Sequence, residues 1–315
     1  IDIDGTTNLD VVDIDGAVDM ASTLAVAGNV TASALVTTSG RFINATDSFD
    51  PWLKGINSSS TETSFIKKDG SGYFGSNVGI GISAPATAYG RALHIHDTGT
   101  SGANLRLTDS NTGSGTGNGM EFIAINADNY WINRENGPIY KIINGQTVQK
   151  IDATGAIIAP LQPAFLAYMS ANQDNLPVST EVTIKFDSEI FDQNSDFTVA
   201  TGTGQGSDGN NLRGTFTAPV TGKYQFNLSL RIVGVQNDTA YYYFYIKTSN
   251  RTYVNIFEYS GADDAAYLTV QYSILADMDA SDTAYIVAYQ GGGSAETDVE
   301  HGASGASFFS GYLVA

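Results

Sequence analysis

His94 and His96 are the two residues of this 315-residue chain whose type and spacing point most directly to chemistry. Side chains alternate between the faces of a β-strand, so both imidazoles of a His-x-His pair project to one side. If three identical chains ran in parallel, their pairs would converge on one axis and could hold a transition metal octahedrally. The commoner alternative is a solvated pair on the surface. The sequence therefore predicts no certain cofactor and one candidate axial transition-metal site.

Other residues of catalytic type do not form a recognisable active site. The chain has no cysteine, which excludes a thiol nucleophile. His301 lies in an acidic, polar segment, but no serine in a strand-to-helix turn accompanies it. The pair Asp263 and Asp264 lies in a turn sequence, where aspartate is common. We expect no enzyme, and glycan cleavage by paired acids is the less favoured alternative.

Charge and composition exclude several classes of partner. The formal net charge is -18, with 33 acidic residues against 15 basic residues. Nucleic-acid and anionic-membrane surfaces both require clustered Lys and Arg, so neither partner is expected. No apolar run approaches the length of a membrane span, and we expect no membrane insertion. The first residue is Ile1 rather than Met, so we expect further chain upstream.

The first forty residues contain a short repeat. Gly5, Gly16, Gly28 and Gly40 are 11, 12 and 12 residues apart, and short alternating aliphatic stretches lie between them. A strand of this length cannot bury its apolar face alone and must stack on copies of itself. We therefore predict a repetitive β-shaft over residues 1–45. The alternative is a flexible Gly/Ser/Thr linker.

Strand-like runs continue through residues 46–160, which we assign to a second, β-rich module. Five short motifs follow one another here: Asp-Gly-Ser-Gly (69–72), Val-Gly-Ile-Gly-x-x-x-Pro (78–85), Leu-His-Ile (93–95), Leu-Arg-Leu (105–107) and Ile-Asp-x-x-Gly (151–155). Their order resembles modules of bacteriophage tail fibres. That resemblance implies a location in the virion tail fibre, outside the host cell, with upstream tail or baseplate proteins as partners.

Residues 161–315 contain about nine strand candidates separated by short turns, which favours an antiparallel sandwich. The spacings Phe186-x5-Asp192-x4-Phe197 and Phe216-x5-Gly222-x-Tyr224-x-Phe226 resemble the complement C1q-like signature, as does the closing segment 309–313. The resemblance implies a jelly roll of the C1q and tumour-necrosis-factor type, assembled as a homotrimer. The segment between Phe197 and Phe216 is longer than the family pattern allows. The fold prediction is therefore all-β, a trimeric fibrous shaft followed by a jelly-roll knob.

Two knob segments are apolar on both faces, and a strand of this kind must be covered twice. One is 308–314, which we assign to the trimer interface. The other is 241–246, which the resemblance places in the outer sheet, where its tyrosines could form an exposed strip for a saccharide. The alternative is that shaft or loop residues cover this strip. The predicted interface residues are Tyr168, Phe309 and Tyr312, and the predicted strip is Tyr241, Tyr243 and Tyr245.

These expectations combine into one functional hypothesis. The chain is a homotrimeric virion fibre that binds a host surface glycan or outer-membrane receptor through its C-terminal knob, with several knobs adding weak contacts. The alternative is a purely structural stalk whose knob only drives trimerisation. Besides the tyrosine strip, we expect receptor contacts in the segments 201–211 and 291–305, at Gln205, Asp208, Asn210, Asn211, Glu296 and His301.

Overall fold

The computed structural model describes residues 51–56 (backbone only), 62–67, 71–85, 90–202, 213–301 and 306–315. These residues form strands and turns without a helix, which confirms the all-β prediction. Accordingly, no described segment is a helix that could cross a membrane. The predicted shaft at 1–45 lies outside the described residues. The chain divides into two compact units, Ile1–Leu105 with Phe122–Tyr130, and Arg106–Glu121 with Trp131–Ala315. The predicted domain boundaries stay a prediction.

The strands that precede the knob form small sheets of two or three strands. The pairing of β4 with β5 is parallel, and β9, β10 and β11 pair in antiparallel fashion. The sheet orders are β1-β2-β3, β4-β5, β6-β7-β8 and β11-β10-β9. The strands are β1 Pro51–Ile56, β2 Glu62–Lys67, β3 Gly72–Phe74, β4 Val78–Ile80, β5 Leu93–Ile95, β6 Ala103–Leu107, β7 Met120–Ile125, β8 Asp128–Asn133, β9 Ile139–Ile143, β10 Gln146–Ile151 and β11 Ile157–Ile158.

From residue 71 to the knob, the described parts of these small sheets have no apolar core within one chain. Across the described residues from 71 to 162, only Gly119 and Glu121 are buried. Large apolar side chains on the same strands stay exposed, because sheets of this size have no second layer to cover them. The exposed set includes Phe74, Ile80, Leu93, Phe122, Trp131, Ile142 and Ile157.

The buried Glu121 carboxylate is held by two arginines. One oxygen pairs with Arg106, and the other accepts hydrogen bonds from Arg134 at 2.9 Å (Nε) and 2.8 Å (Nη2). A buried carboxylate must be paired, because burial removes its hydration. An ion-pair network therefore fixes β7 against Arg106 on β6 and Arg134 after β8.

The knob is a two-layer antiparallel sandwich. Its seven-stranded sheet, here called sheet I, has the order β13-β23-β18-β24-β12-β15, with β21 paired to β18. Its six-stranded sheet, sheet II, has the order β16-β17-β22-β19-β20, with β14 paired to β22. The strands are β12 Ala164–Tyr168, β13 Gln173–Leu176, β14 Glu181–Thr183, β15 Ser188–Asp192, β16 Phe197–Thr198, β17 Thr215–Thr217, β18 Gly222–Val235, β19 Tyr241–Thr248, β20 Thr252–Phe257, β21 Ala265–Met278, β22 Thr283–Gly291, β23 Thr297–Glu300 and β24 Phe308–Leu313.

The chain crosses between the two sheets repeatedly, and its first and last knob strands, β12 and β24, pair side by side. This arrangement is of the jelly-roll type and confirms the predicted fold class of the knob. The long strand β18 is the centre of sheet I, because it pairs with β21, β23 and β24.

The aromatic residues of the sequence signature form the knob core. The Phe165 ring centroid lies 4.7 Å from that of Phe197, 5.0 Å from Phe216 and 5.1 Å from Phe309. These rings are fully or almost fully buried, as are Phe186, Tyr224 and Phe226. Gly311 leaves the room they need, since a Cβ there would lie 2.6 to 2.8 Å from carbons of the Phe226 and Phe165 rings.

The segment 291–305 was expected to be a polar loop, and this is wrong for its middle part. Residues Thr297–Glu300 form β23, which pairs with β13 and β18. Val299 is buried in the core, and Glu300 pairs with Arg231 at 2.9 Å. The strand was not predicted because its sequence is mostly polar: only the alternate residues Thr297 and Val299 face inward.

Replacing Glu121 with Gln is expected to destabilise the region before the knob by about 2–3 kcal/mol. This destabilisation is at the lower end of, or below, the usual cost of breaking a buried ion pair. Both arginines are partly exposed, so water can solvate their charges once the carboxylate is gone. Both tryptophans, Trp52 and Trp131, precede the knob, so tryptophan fluorescence during urea unfolding reports on this region. The exposed carboxylate of Asp128 gives the control, Asp128→Asn, for which we expect a change within about 0.5 kcal/mol. Equal effects of the two variants would contradict the ion-pair account.

Candidate functional site

The outward face of sheet I carries an irregularity in β15. Leu166 pairs with Phe191 and Ala167 pairs with Glu189, so Ile190 has no cross-strand partner. Such an extra residue is a β-bulge, which turns neighbouring side chains away from strict alternation. Ile190 and Phe191 are both exposed as a result, at 66% and 48%.

Beside this bulge lies an open apolar groove of about 600 Å³. Its walls come from β12, β15 and β24. Tyr312 is 47% exposed there, and Tyr168 and Phe308 are half-buried. The lining residues include Leu166, Tyr168, Ile190, Phe191, Phe308 and Tyr312.

Phe309, which was predicted at the trimer interface, belongs instead to the core. Its side chain has 0% exposure within the single chain and packs on Phe165. It therefore has no surface to offer a second chain. The other two predicted interface residues, Tyr168 and Tyr312, line the groove, and their role in assembly stays a prediction.

The other half of the outward face of sheet I is mostly polar. Asn227 on β18 accepts a hydrogen bond of 2.9 Å from the Ser273 hydroxyl on β21. At the far edge of the sheet, Tyr267 and Leu275 on β21 are both more than half exposed. The face thus carries an apolar groove at one edge, whereas Tyr267 and Leu275 at the other edge are single exposed residues, eight residues apart on β21 with Thr269, Gln271 and Ser273 between them.

Carboxylates gather at the end of β15, near the groove. Asp192 accepts hydrogen bonds from the backbone N–H groups of Asp196 (3.1 Å) and Phe197 (2.9 Å), which turns the chain into β16. One carboxylate oxygen of Asp196 is buried without a hydrogen-bond partner. Burial, and secondarily the charge of Asp192, raises the pKa of Asp196, and the same two causes raise the pKa of Glu189.

The outward face of sheet II carries the tyrosine strip. Tyr241, Tyr243 and Tyr245 alternate on β19 with the buried Tyr242, Phe244 and Ile246, as predicted. Tyr289 on β22 lies opposite Tyr243 and joins the strip. We call these four residues, Tyr241, Tyr243, Tyr245 and Tyr289, the tyrosine face. All four side chains are partly exposed.

The rings of the tyrosine face contact one another. Centroids are 4.8 Å apart for Tyr241 and Tyr243, 5.5 Å for Tyr243 and Tyr245, and 5.9 Å for Tyr243 and Tyr289. The charge of Tyr289 raises the pKa of Tyr241, and burial raises the pKa of Tyr245. The hydroxyls of Tyr241 and Tyr245 therefore stay neutral at physiological pH.

The other predicted receptor residues are more scattered. Glu296 is exposed just before β23, and His301 follows the strand. Asn172 Oδ1 contacts the His301 backbone N–H at 3.0 Å and the ring Nδ1 at 2.6 Å, while Asp298 accepts a hydrogen bond from the Asn175 N–H. The imidazole thus contacts an amide rather than one of the neighbouring acids. Gln205, Asp208, Asn210 and Asn211 lie outside the described residues.

The predicted metal pair is close together, with His94 on β5 and His96 directly after the end of that strand. The His94 and His96 rings lie 6.1 Å apart between centroids and are nearly perpendicular. Two imidazoles are too few for a transition-metal site. No group of three or more His, Cys, Asp or Glu suited to a metal occurs within one chain among the described residues. A shared site would need donors from further copies, and it stays a prediction.

Ile190, Phe191 and Tyr289 are surface residues that sequence reasoning missed. Tyr289 was readable, because Tyr285, Val287 and Tyr289 alternate in the same way as the strip on β19. Two adjacent apolar residues in a polar strand signal a departure from alternation, but not which residue is extra. That depends on the register with β12.

No known family model matches the chain, and no curated protein matches it. Among solved structures, the chain is similar to the globular domain of zebrafish complement 1qA protein, with 16% identity, a TM-score of 0.34, and coverage of 49% of this chain and 98% of that chain. It is also similar to murine APRIL at pH 8.5 and pH 8.0, with 9% identity, TM-scores of 0.33 and 0.34, and coverage of 49% and 99%. The jelly-roll assignment rests on the strand order described above.

Replacing Phe309 with Ala is expected to lower the free energy of knob unfolding by about 3–5 kcal/mol, the usual cost of a large cavity in a core. Val314→Ala, at a half-exposed position of the same terminal segment, is the control and should change it by less than about 0.5 kcal/mol. Chemical unfolding followed by near-ultraviolet circular dichroism measures both. A small effect of Phe309→Ala would contradict its assignment to the core.

Asp196→Asn is expected to stabilise the knob at neutral pH. The raised pKa means that the folded state binds the Asp196 proton more tightly than the unfolded state. The wild-type knob therefore gains stability as the pH falls through the folded pKa, and the advantage of the variant disappears below the unfolded pKa. Unfolding midpoints at a series of acidic and neutral pH values, with Asp263→Asn as an exposed control, test this. A constant difference at all pH values would argue against it.

Proposed function

We propose that this chain is the subunit of a homotrimeric bacteriophage tail fibre, a structural protein of the virion. Its β-rich segment forms the stalk, and its C-terminal knob holds three chains in register and contacts a host-cell receptor. Upstream tail or baseplate proteins are the partners at the other end. The order of fibre-like motifs over residues 69–155 supports this proposal.

The observation that carries the proposal is the absence of a buried apolar residue over the described part of 71–162. An isolated chain gains little free energy from folding this segment, since burial of apolar surface is the main driving force and the apolar side chains here are at most partly buried. The cover that fits a fibre-like module is a second and a third copy of the same segment. Packing around a common axis would supply the core that one chain lacks.

The knob supplies a second surface for assembly. The groove lined by Phe191 and Tyr312 forms an apolar patch at one edge of sheet I, and the exposed Leu275 on β21 forms a much smaller one at the opposite edge. Contacts between two different patches are heterologous, and such contacts close into a ring when the rotation between copies allows it. The C1q-like resemblance of the sequence supports an assembly of three copies.

Three knobs at the end of a fibre also suit attachment to a cell. Several fibres per particle convert weak individual contacts into strong attachment through a high effective concentration. The second candidate is a purely structural stalk. The apolar groove favours it, because contacts between copies of the chain would cover the groove without any receptor. Binding of the trimeric full chain to bacterial cells, scored over a panel of strains, separates the two.

Tyr312→Asp combined with Phe191→Asp is expected to dissociate the knob contacts, because assembly would bury two uncompensated charges in an apolar interface. Light scattering after size exclusion should give the wild type three times the 33.3 kDa chain mass. The double variant should have the mass of a single chain. If the stalk still holds the chains together, the trimer of the double variant should dissociate at a several-fold lower urea concentration than the wild-type trimer.

Ile256→Asp is the matched control, because Ile256 is as exposed as Phe191 but lies on the outward face of sheet II. It should keep the trimeric mass. A monomeric wild type, or equal effects of the control and the double variant, would refute the assembly.

A further inference from the structure

We propose that the tyrosine face is a binding site for a neutral saccharide, presented outward by each knob. This inference rests on the proposed function and names the chemical class of its receptor. It concerns the sheet opposite the groove, so the site stays open when three copies assemble through sheet I.

The face has a flat floor. Val287, opposite Tyr245 in the register, is 2% exposed beneath the rings. Gly291 lies opposite Tyr241, and a Cβ at that glycine would come within 2.6 to 2.8 Å of three carbons of the Tyr241 ring. The ring therefore lies directly over the glycine backbone, a position that any larger residue would deny it. The ring planes of Tyr241 and Tyr243 are inclined by 50° and those of Tyr243 and Tyr245 by 36°, so the rings form a tilted aromatic surface above this floor.

The rings form a continuous and pre-ordered row. The centroid of Tyr243 lies 4.8 Å from that of Tyr241 and 5.5 Å from that of Tyr245, so the row of three rings is at most about 10 Å long between its end centroids. Ring-to-ring contacts hold each tyrosine in place before a ligand arrives, which reduces the side-chain entropy lost on binding. Tyrosine combines an apolar ring for the C–H faces of a sugar with a hydroxyl for its polar edge.

The charges of the face select a neutral ligand. Lys247, next in the row after Tyr245, pairs with Glu181 on β14, so the two charges offset each other. Arg213 stacks on Tyr285 beyond the row, with its guanidinium carbon 3.9 Å from the ring centroid. An acidic glycan or a phosphate group would need a cluster of unpaired cations, whereas the row itself carries only phenol hydroxyls. The chain's net charge of -18 opposes anions further.

Apolar residues of the neighbouring strand β20 border the tyrosine face on one side. On β20, Val254 lies opposite Tyr245 and Ile256 lies opposite Tyr243, and both point to the same face. Both are about half exposed. They extend the aromatic surface sideways, so a ligand can cover two strands rather than one row of rings.

The test uses the full-length chain on an array of immobilised bacterial oligosaccharides, both neutral and acidic. The wild type is expected to bind neutral members, and Tyr243→Ala to weaken that binding by about tenfold or more, as loss of a central aromatic contact does. Tyr243→Phe keeps the ring and should lose no more than a few-fold. Tyr140→Ala removes an exposed tyrosine that precedes the knob and should bind as the wild type does. The mass of every variant is measured alongside.

The outcomes separate this inference from the proposed function. A trimeric wild type that binds no glycan, binds only acidic glycans, or binds equally well as Tyr243→Ala overturns the saccharide site and leaves the fibre intact. If the wild type binds no glycan on the array but Tyr243→Ala still abolishes binding to cells, the ligand of the tyrosine face is a protein instead. A wild type with the mass of one chain refutes the proposed function itself.

Discussion

The unequal burial of apolar surface governs this molecule. The knob buries its aromatic residues within one chain, whereas the described segment from 71 to 162 buries a single side chain, the charged Glu121. An ion-pair network can set the geometry of a thin sheet, but it supplies little net stability, since desolvation offsets attraction. In the proposed fibre, other copies would supply the apolar cover that this segment lacks, and the knob, which has a core of its own, would bring them together.

Within the knob, one core arrangement determines both outer faces. The rings around Phe165 fix which side of β12, β18 and β24 points inward, and alternation then fixes what points outward. On sheet I the outward residues form an apolar groove, which suits contacts between copies. On sheet II they form a row of tyrosines with paired charges at its end, which suits a small, neutral ligand. In the proposed fibre, assembly and recognition would therefore occupy opposite sides of the same sandwich.

Much of the fold was readable from the sequence, because strand alternation is a local property. The spacing that includes Phe186, Phe197 and Tyr224 predicted a core that the structure contains, and the strip on β19 lies on the outward face of sheet II, while its position away from a trimer axis stays a prediction. Alternation also separated Phe309 from Tyr312, but it could not say which of the two faces inward. That choice is made by packing against Phe226 and Phe165, which are distant in the sequence.

The sequence by itself determined the β class, the aromatic core set and the strands that are apolar on both faces. Only the tertiary structure showed the bulge at Ile190, the strand at Thr297–Glu300 and the ion-pair network around Glu121. The reason is physical. The alternation of apolar and polar residues shows which side chains of a strand face the core and which face solvent. Register, bulges and ion pairs depend instead on which distant strand lies alongside. Those pairings are fixed only when both sheets close over a common core.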